Sequence, residues 1–174
     1  MASFDPRADL TQLDALYAEI RAWLALPRER VLRVDPAISG WNAEQHVVHC
    51  SLANELVGRN LKNLLKGSGM LVVDTGEPVE GALEILASGR IPRGTAQAPR
   101  IVRPPELVER AYLLEWLEGN EREFAEARQR LDDLVAAPKR IPHQILGPLT
   151  AVQWVRFASV HTAHHMAIAR ELLR

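Results

Sequence analysis

Four separate stretches of this chain repeat apolar residues at intervals of three and four, and almost none alternate at two. That pattern builds helices with one buried face and leaves little material for a sheet. The first stretch covers roughly residues 8–26, where Leu13, Leu16, Tyr17, Ile20, Trp23 and Leu24 share a face before Pro27 stops the helix. The second opens at Asn42, an N-cap residue with Gln45 placed to complete a capping box. Its stripe continues through Leu52, Ala53, Leu56, Val57, Leu61 and Leu64 to a glycine stop at Gly67 and Gly69. The third is expected to start near Pro104 and Pro105, which suit a first helical turn, and to reach about Val135. Leu113, Leu117, Phe124, Leu131 and Leu134 form its buried side, with Gly119 and Asn120 as weak points. The fourth opens at Thr150, has Gln153 as a second capping-box partner, and runs through Arg174.

The connections are unequal. Roughly residues 67–104 form a long irregular stretch with six glycines, in which "MLVV" suits a short strand and "EGALEILASG" a short helix closed by Gly89. A connection this long is usually functional or crosses between distant elements. "AAPKRIPHQILGP" reads as a loop, because its prolines cannot continue a helix. The expected fold class is therefore all-α: a four-helix bundle in one domain, residues 1–174. The long connection lets the second and third helices run parallel through a crossover.

Composition narrows the function classes. Net charge is −1 with a sequence pI near 6.6, so no nucleic-acid partner is expected. No apolar run reaches the roughly 20 residues needed to span a bilayer, and "MASFDPRADL" has no apolar core of a signal peptide. Cys50 is the only cysteine, which rules out an internal disulfide, a zinc ribbon and a CxxC redox pair. A cytoplasmic location is the expectation. GxGxxG, Walker A and GxSxG motifs are absent, and Ser51 and Ser159 have no triad context.

Three of the six histidines crowd into "VHTAHHM". At about 100° per residue, Trp154, Ala158, His161, His165, Ile168 and Leu172 fall within a sector of about 80°, with Arg156 and Arg170 opposite. His161 and His165 are thus expected at the centre of the buried stripe, one turn apart and able to converge on one point. His164 lies about 60° to one side. Buried imidazoles need partners for both nitrogens, and a divalent metal can take one nitrogen from each ring. A third ligand is required. "EQHVVHC" offers His46 and His49, which flank the apolar sector about equally, so periodicity does not choose between them. A satisfied polar cluster in the core is the competing account. No Glu-x-x-His occurs, which argues against a carboxylate-bridged di-metal centre.

These segments resemble the DinB/YfiT-like metalloenzymes. "GWNAEQHVVHC" is similar to the opening of that family's second helix, where a tryptophan and a small capping residue precede a ligand histidine. Counting from Trp41 gives His49. "HQILGPLTAVQWVRFASVHTAHHMAIA" resembles the last helix with its lead-in, which falls on His143, Gly147, Thr150, Trp154, His161 and His165. "SGRIPRGTAQAP" resembles a linker of some members. The resemblance implies a four-helix bundle with a metal site of His49, His161 and His165, and zinc or nickel as the divalent ion. It further implies a thiol-dependent transferase or isomerase acting on a small molecule, with a low-molecular-weight thiol as cosubstrate; activation of a water by the same metal would make the protein a hydrolase instead. A non-catalytic metal-binding or interaction protein of the same fold is the alternative. An apolar face left over on the bundle would serve a homodimer. Where members often have a glutamine after the final histidine pair, this chain has Arg170 and Glu171. Two readings stay open for His46, a donor to a ligand histidine or the tip of the same pocket, and two for His143, the pocket mouth or an ordinary loop histidine; His164 reads as facing a neighbouring helix or a dimer partner. Cys50 points away from His49 and suits the core.

Overall fold

The computed structural model describes residues 4–94 and 97–174. Of the linker-like "SGRIPRGTAQAP", Thr95 and Ala96 lie outside the described residues. The described chain is mostly helical, with one small two-stranded sheet. In order, the elements are α1 (Pro6–Leu24), α2 (Arg28–Val31), α3 (Ala43–Lys66), α4 (Ala82–Ser88), a 3₁₀ turn (Arg100–Val102), α5 (Arg110–Gln129), α6 (Leu131–Ala136), β1 (Ile141–His143), β2 (Gly147–Leu149) and α7 (Ala151–Leu172).

Local chemistry sets the ends of the long helices. Asp5 caps α1 by accepting from the Arg7 and Ala8 amides, and Pro6 occupies the first turn, where no N–H is needed. Both expected capping boxes are formed: Asn42 with Gln45 at α3, and Thr150 with Gln153 at α7. Gly67 ends α3 with φ of 65°, a left-handed conformation that glycine adopts without a Cβ clash.

α3 packs on α7 and α5, and α1 packs on the same two helices. Polar pairs report their directions. Glu44 meets Arg110, Ser51 meets Asn120, and Lys62 meets Glu123, so α3 and α5 run the same way. Asp9–Arg156, Gln12–Ser159 and Glu19–Arg170 show the same for α1 and α7. His46 faces His165 and His49 faces His161, so α3 and α7 are antiparallel. Between the helices lie Leu10, Leu13, Ile20, Val57, Leu64, Leu113, Leu117, Val155, Ala158 and Met166, all buried. Each large side chain of this kind contributes about 1.5–3 kcal/mol on leaving water. A smaller cluster of Val31, Ala43, Ala169 and Leu173 seats α2 against the start of α3 and the end of α7.

Several elements differ from expectation. The third helix starts at Arg110 and not at the prolines, because the stretch before it is held against its neighbours. The Pro105 carbonyl accepts from Gln45, and the Val108 carbonyl accepts from Arg28. That helix also breaks at Arg130 (φ −112°), which separates α5 from α6. Asn120 is no weak point, since it is buried and donates to the Ser51 carbonyl at 2.9 Å. The expected loop before α7 contains the β1–β2 hairpin, with Pro142 opposite Pro148. Two prolines suit one another there, since alternate antiparallel pairs ask no N–H of either residue. In the long connection, α4 ends at Gly89 as expected, and Val73 of "MLVV" forms only a single bridge, to Arg140.

Candidate metal centre

Two capped helices deliver the histidines. The Asn42–Gln45 box fixes the phase of α3 from its first turn, which places His46 and His49 on the next. α7 carries His161 and His165 one turn apart, so both rings project from one side. Because α3 and α7 run antiparallel, the two pairs meet. His49 Nε2 lies 3.1 Å from His161 Nε2. One ring nitrogen from each of His49, His161 and His165 falls within 4.8 Å of the others.

The hydrogen bonds assign much of the proton placement. His49 Nδ1 stands 2.7 Å from the Val102 carbonyl, which can only accept, so Nδ1 carries the proton and Nε2 a lone pair. That lone pair points at His161. His161 Nδ1 is buried and has no hydrogen-bond partner among the described residues. His165 Nδ1 lies 2.9 Å from His46 Nδ1, which leaves Nε2 as the nitrogen without a partner among the described residues. His46 Nε2 lies 2.9 Å from Ser39 Oγ.

This donor set fits a divalent ion. Two nitrogens about 2.0–2.1 Å from one tetrahedral ion sit about 3.3 Å apart, close to the His49–His161 approach. Burial pushes His161 and His165 well below the ordinary imidazole pKa, and neighbouring histidines push the same way. Burial also lowers His49, against the opposing bond to Val102, and holds His46 at about 4. The rings are therefore neutral near pH 7, the form that ligates metals. Aromatic rings flank them. Trp41 lies 5.1 Å from His49 and 6.3 Å from His165 between ring centroids. Phe157 stacks on His161 at 5.1 Å.

His161 and His165 do not sit at the centre of the buried stripe, where the helical wheel places them, since both residues are only partly buried as a whole. The fully covered line on α7 runs through Val155, Ala158, Thr162, Met166 and Ala169. Small and weakly polar residues mark it, and these weigh little in an apolar pattern. α7 is covered on its far side as well: Arg156 pairs with buried Asp9 of α1 and donates to the Leu86 carbonyl of α4. The histidines thus occupy the margin of the core.

The other candidates have separate places. His46 is outside the three-nitrogen group and bridges His165 to Ser39. His164 packs edge-on against His165, with ring centroids 5.0 Å apart. His143 Nδ1 accepts the Ile145 and Leu146 amides, which ties the hairpin turn, and its ring packs on Phe157 at 4.5 Å. Cys50 is buried, and burial pushes its thiol pKa up, away from reactivity. Sequence reasoning missed Ser39, Val102 and Phe157. Only Phe157, one turn before His161, carried a signal in its spacing.

The DinB superfamily model matches residues 12–169. That span contains both capping boxes and all six histidines. No curated protein and no solved structure matches the chain significantly. The match covers most of the chain and includes the three converging histidines, so the chain belongs to the DinB superfamily.

Proposed function

We propose that this protein is a metal-dependent enzyme in which His49, His161 and His165 hold one divalent cation, zinc or nickel. The observation that carries the reading is the approach of three ring nitrogens within 4.8 Å, one of them already aimed by the Val102 carbonyl. The fold belonging to this reading is a four-helix bundle in one domain, residues 1–174, with a crossover between α3 and α5. The shared direction of those two helices supports it.

When bound, such an ion supplies Lewis acidity that lowers the pKa of a coordinated thiol or water. The chain's own contribution is to keep three imidazoles neutral and oriented, and to limit water with the Trp41 and Phe157 rings. Neutral histidines bring no negative charge, so the donor set favours an anionic fourth ligand, thiolate or hydroxide. We rank transfer of a low-molecular-weight thiol to an electrophilic small molecule first, by analogy with the family, and hydrolysis second. The proposal extends to a cytoplasmic homodimer, for which Ile101, Leu107 and Tyr112 supply exposed apolar surface near the start of α5.

Elemental analysis after dialysis tests the reading. Wild-type protein is expected to hold about one zinc or nickel per chain, and His165→Ala to lose it. Less than about a tenth of a metal per chain, with no uptake of added zinc, overturns it. A second reading, a non-catalytic metal-binding or interaction protein, draws on the aromatic character of the surroundings, where Trp41 and Phe157 are the flanking groups. A metal-replete protein that transfers neither bacillithiol nor mycothiol to any electrophile, and hydrolyses nothing, favours that second reading.

A further inference from the structure

His46 is a second imidazole on α3, nearly fully buried and outside the three-nitrogen group. Its two nitrogens are both engaged: Nδ1 with His165 Nδ1 at 2.9 Å, and Nε2 with Ser39 Oγ at 2.9 Å. Ser39 Oγ in turn accepts the Trp41 amide at 3.1 Å. Ser39, His46 and His165 therefore form one hydrogen-bonded chain that ends at the third histidine of the cluster.

Only two neutral proton arrangements satisfy this chain. In one, the Ser39 hydroxyl donates to His46 Nε2, and His46 Nδ1–H donates to His165 Nδ1. His165 then carries its proton on Nε2 and has no lone pair to offer there. In the other, His165 Nδ1–H donates to His46 Nδ1, and His46 Nε2–H donates to Ser39 Oγ. Ser39 Oγ accepts from both His46 and Trp41, which its two lone pairs allow. His165 Nε2 is then bare. The second arrangement matches His49, whose Nδ1–H is committed to Val102 and whose Nε2 is bare.

We propose that His46 is a positioning residue: with Ser39 it holds the His165 proton on Nδ1 and so presents the Nε2 lone pair to a divalent cation. His49 receives the same service from a backbone carbonyl, and His165 receives it from a side chain. This rests on the metal-site reading of His49, His161 and His165, and it adds a residue that binds no metal itself. Outer partners of ligating histidines are known to govern ligand orientation and affinity.

The test is competition between the full-length protein and a chromogenic chelator for zinc, across wild type, His46→Phe and His46→Asn. Phenylalanine keeps a ring and removes both nitrogens. Asparagine restores an acceptor near the place of Nδ1. His46→Phe is expected to weaken zinc affinity about ten- to hundredfold, while His46→Asn recovers to within about threefold of wild type by restoring the hydrogen bond. A two-dimensional ¹⁵N spectrum of the zinc-loaded wild type is expected to show His165 protonated at Nδ1 and coordinated at Nε2. Affinity of His46→Phe within about twofold of wild type overturns the proposal. So does equal loss in both variants, which would mark packing alone, and so does a His165 proton on Nε2. If His46→Phe fails to fold, the spectrum and His46→Asn still decide. Wild type that takes up no zinc fails at a different step and sinks the metal site together with this inference.

Discussion

His143 shows how one imidazole can be structural beside others proposed to hold a metal. Its Nδ1 accepts two backbone amides at 3.1 Å, and burial holds its pKa at about 4. Protonation would set a new N–H against two existing donors. The folded pKa lies below the unfolded value of about 6.5, so this group's stability is present above pH 6.5 and is lost as pH falls toward 4. The contribution is up to about 3 kcal/mol. Chelator-treated wild type is expected to lose thermal stability steadily between pH 6.5 and 4. His143→Asn, whose side-chain oxygen can still accept, should show a shallower slope; an identical slope would place the pH dependence elsewhere. At this scale the sequence was readable where spacing carried geometry. His161 and His165 stood out because one helical turn aligns them. The choice of His49 over His46 did not follow from spacing, since both flank the apolar sector of α3. Ser39 and Val102 were invisible because they reach the site from segments without periodicity.

Among the elements, α7 is held from two sides, and its outer contact is the more fragile. Arg156 reaches from α7 to Asp9 of α1 at 2.8 Å and to the Leu86 carbonyl of α4 at 2.7 Å. Asp9 is 3% exposed, and its second oxygen has no partner among the described residues. Removing the arginine leaves a buried charge unopposed, which typically costs about 3–5 kcal/mol. Arg156→Met is expected to show that loss in urea unfolding, and Asp9→Asn in the same chain to return part of it. No return in the double variant would mean that Arg156 acts through the Leu86 carbonyl instead. Helix ends were legible wherever a side chain or a glycine makes the cap, as at Asn42, Gly67 and Thr150. The break at Arg130 and the β1–β2 hairpin were not, because tertiary contacts decide them. A helical reading of Pro104 and Pro105 failed for the same reason: Gln45 and Arg28 bind the carbonyls around them.

For the whole molecule, the proposed ion would join α3 to α7 and act only on the folded chain. Zinc at about a hundred times its Kd then adds about 2.7 kcal/mol, which raises Tm by about 5–10 °C for a chain of this size. Calorimetry with and without zinc is expected to show that rise in wild type and none in His161→Ala. A rise of equal size in both would place the stabilising ion outside this cluster. The shared direction of α3 and α5 has a further consequence, for the order of assembly. Helices joined by a short turn can zip together locally, but these two cannot, because residues 67–109 must first loop back along the whole length of the pair. Closure of such a loop is an entropic barrier met before any contact rewards it. The His49 side of the site leans on Val102, within that same loop. Folding speed and site completion therefore share one late event, the docking of the long connection.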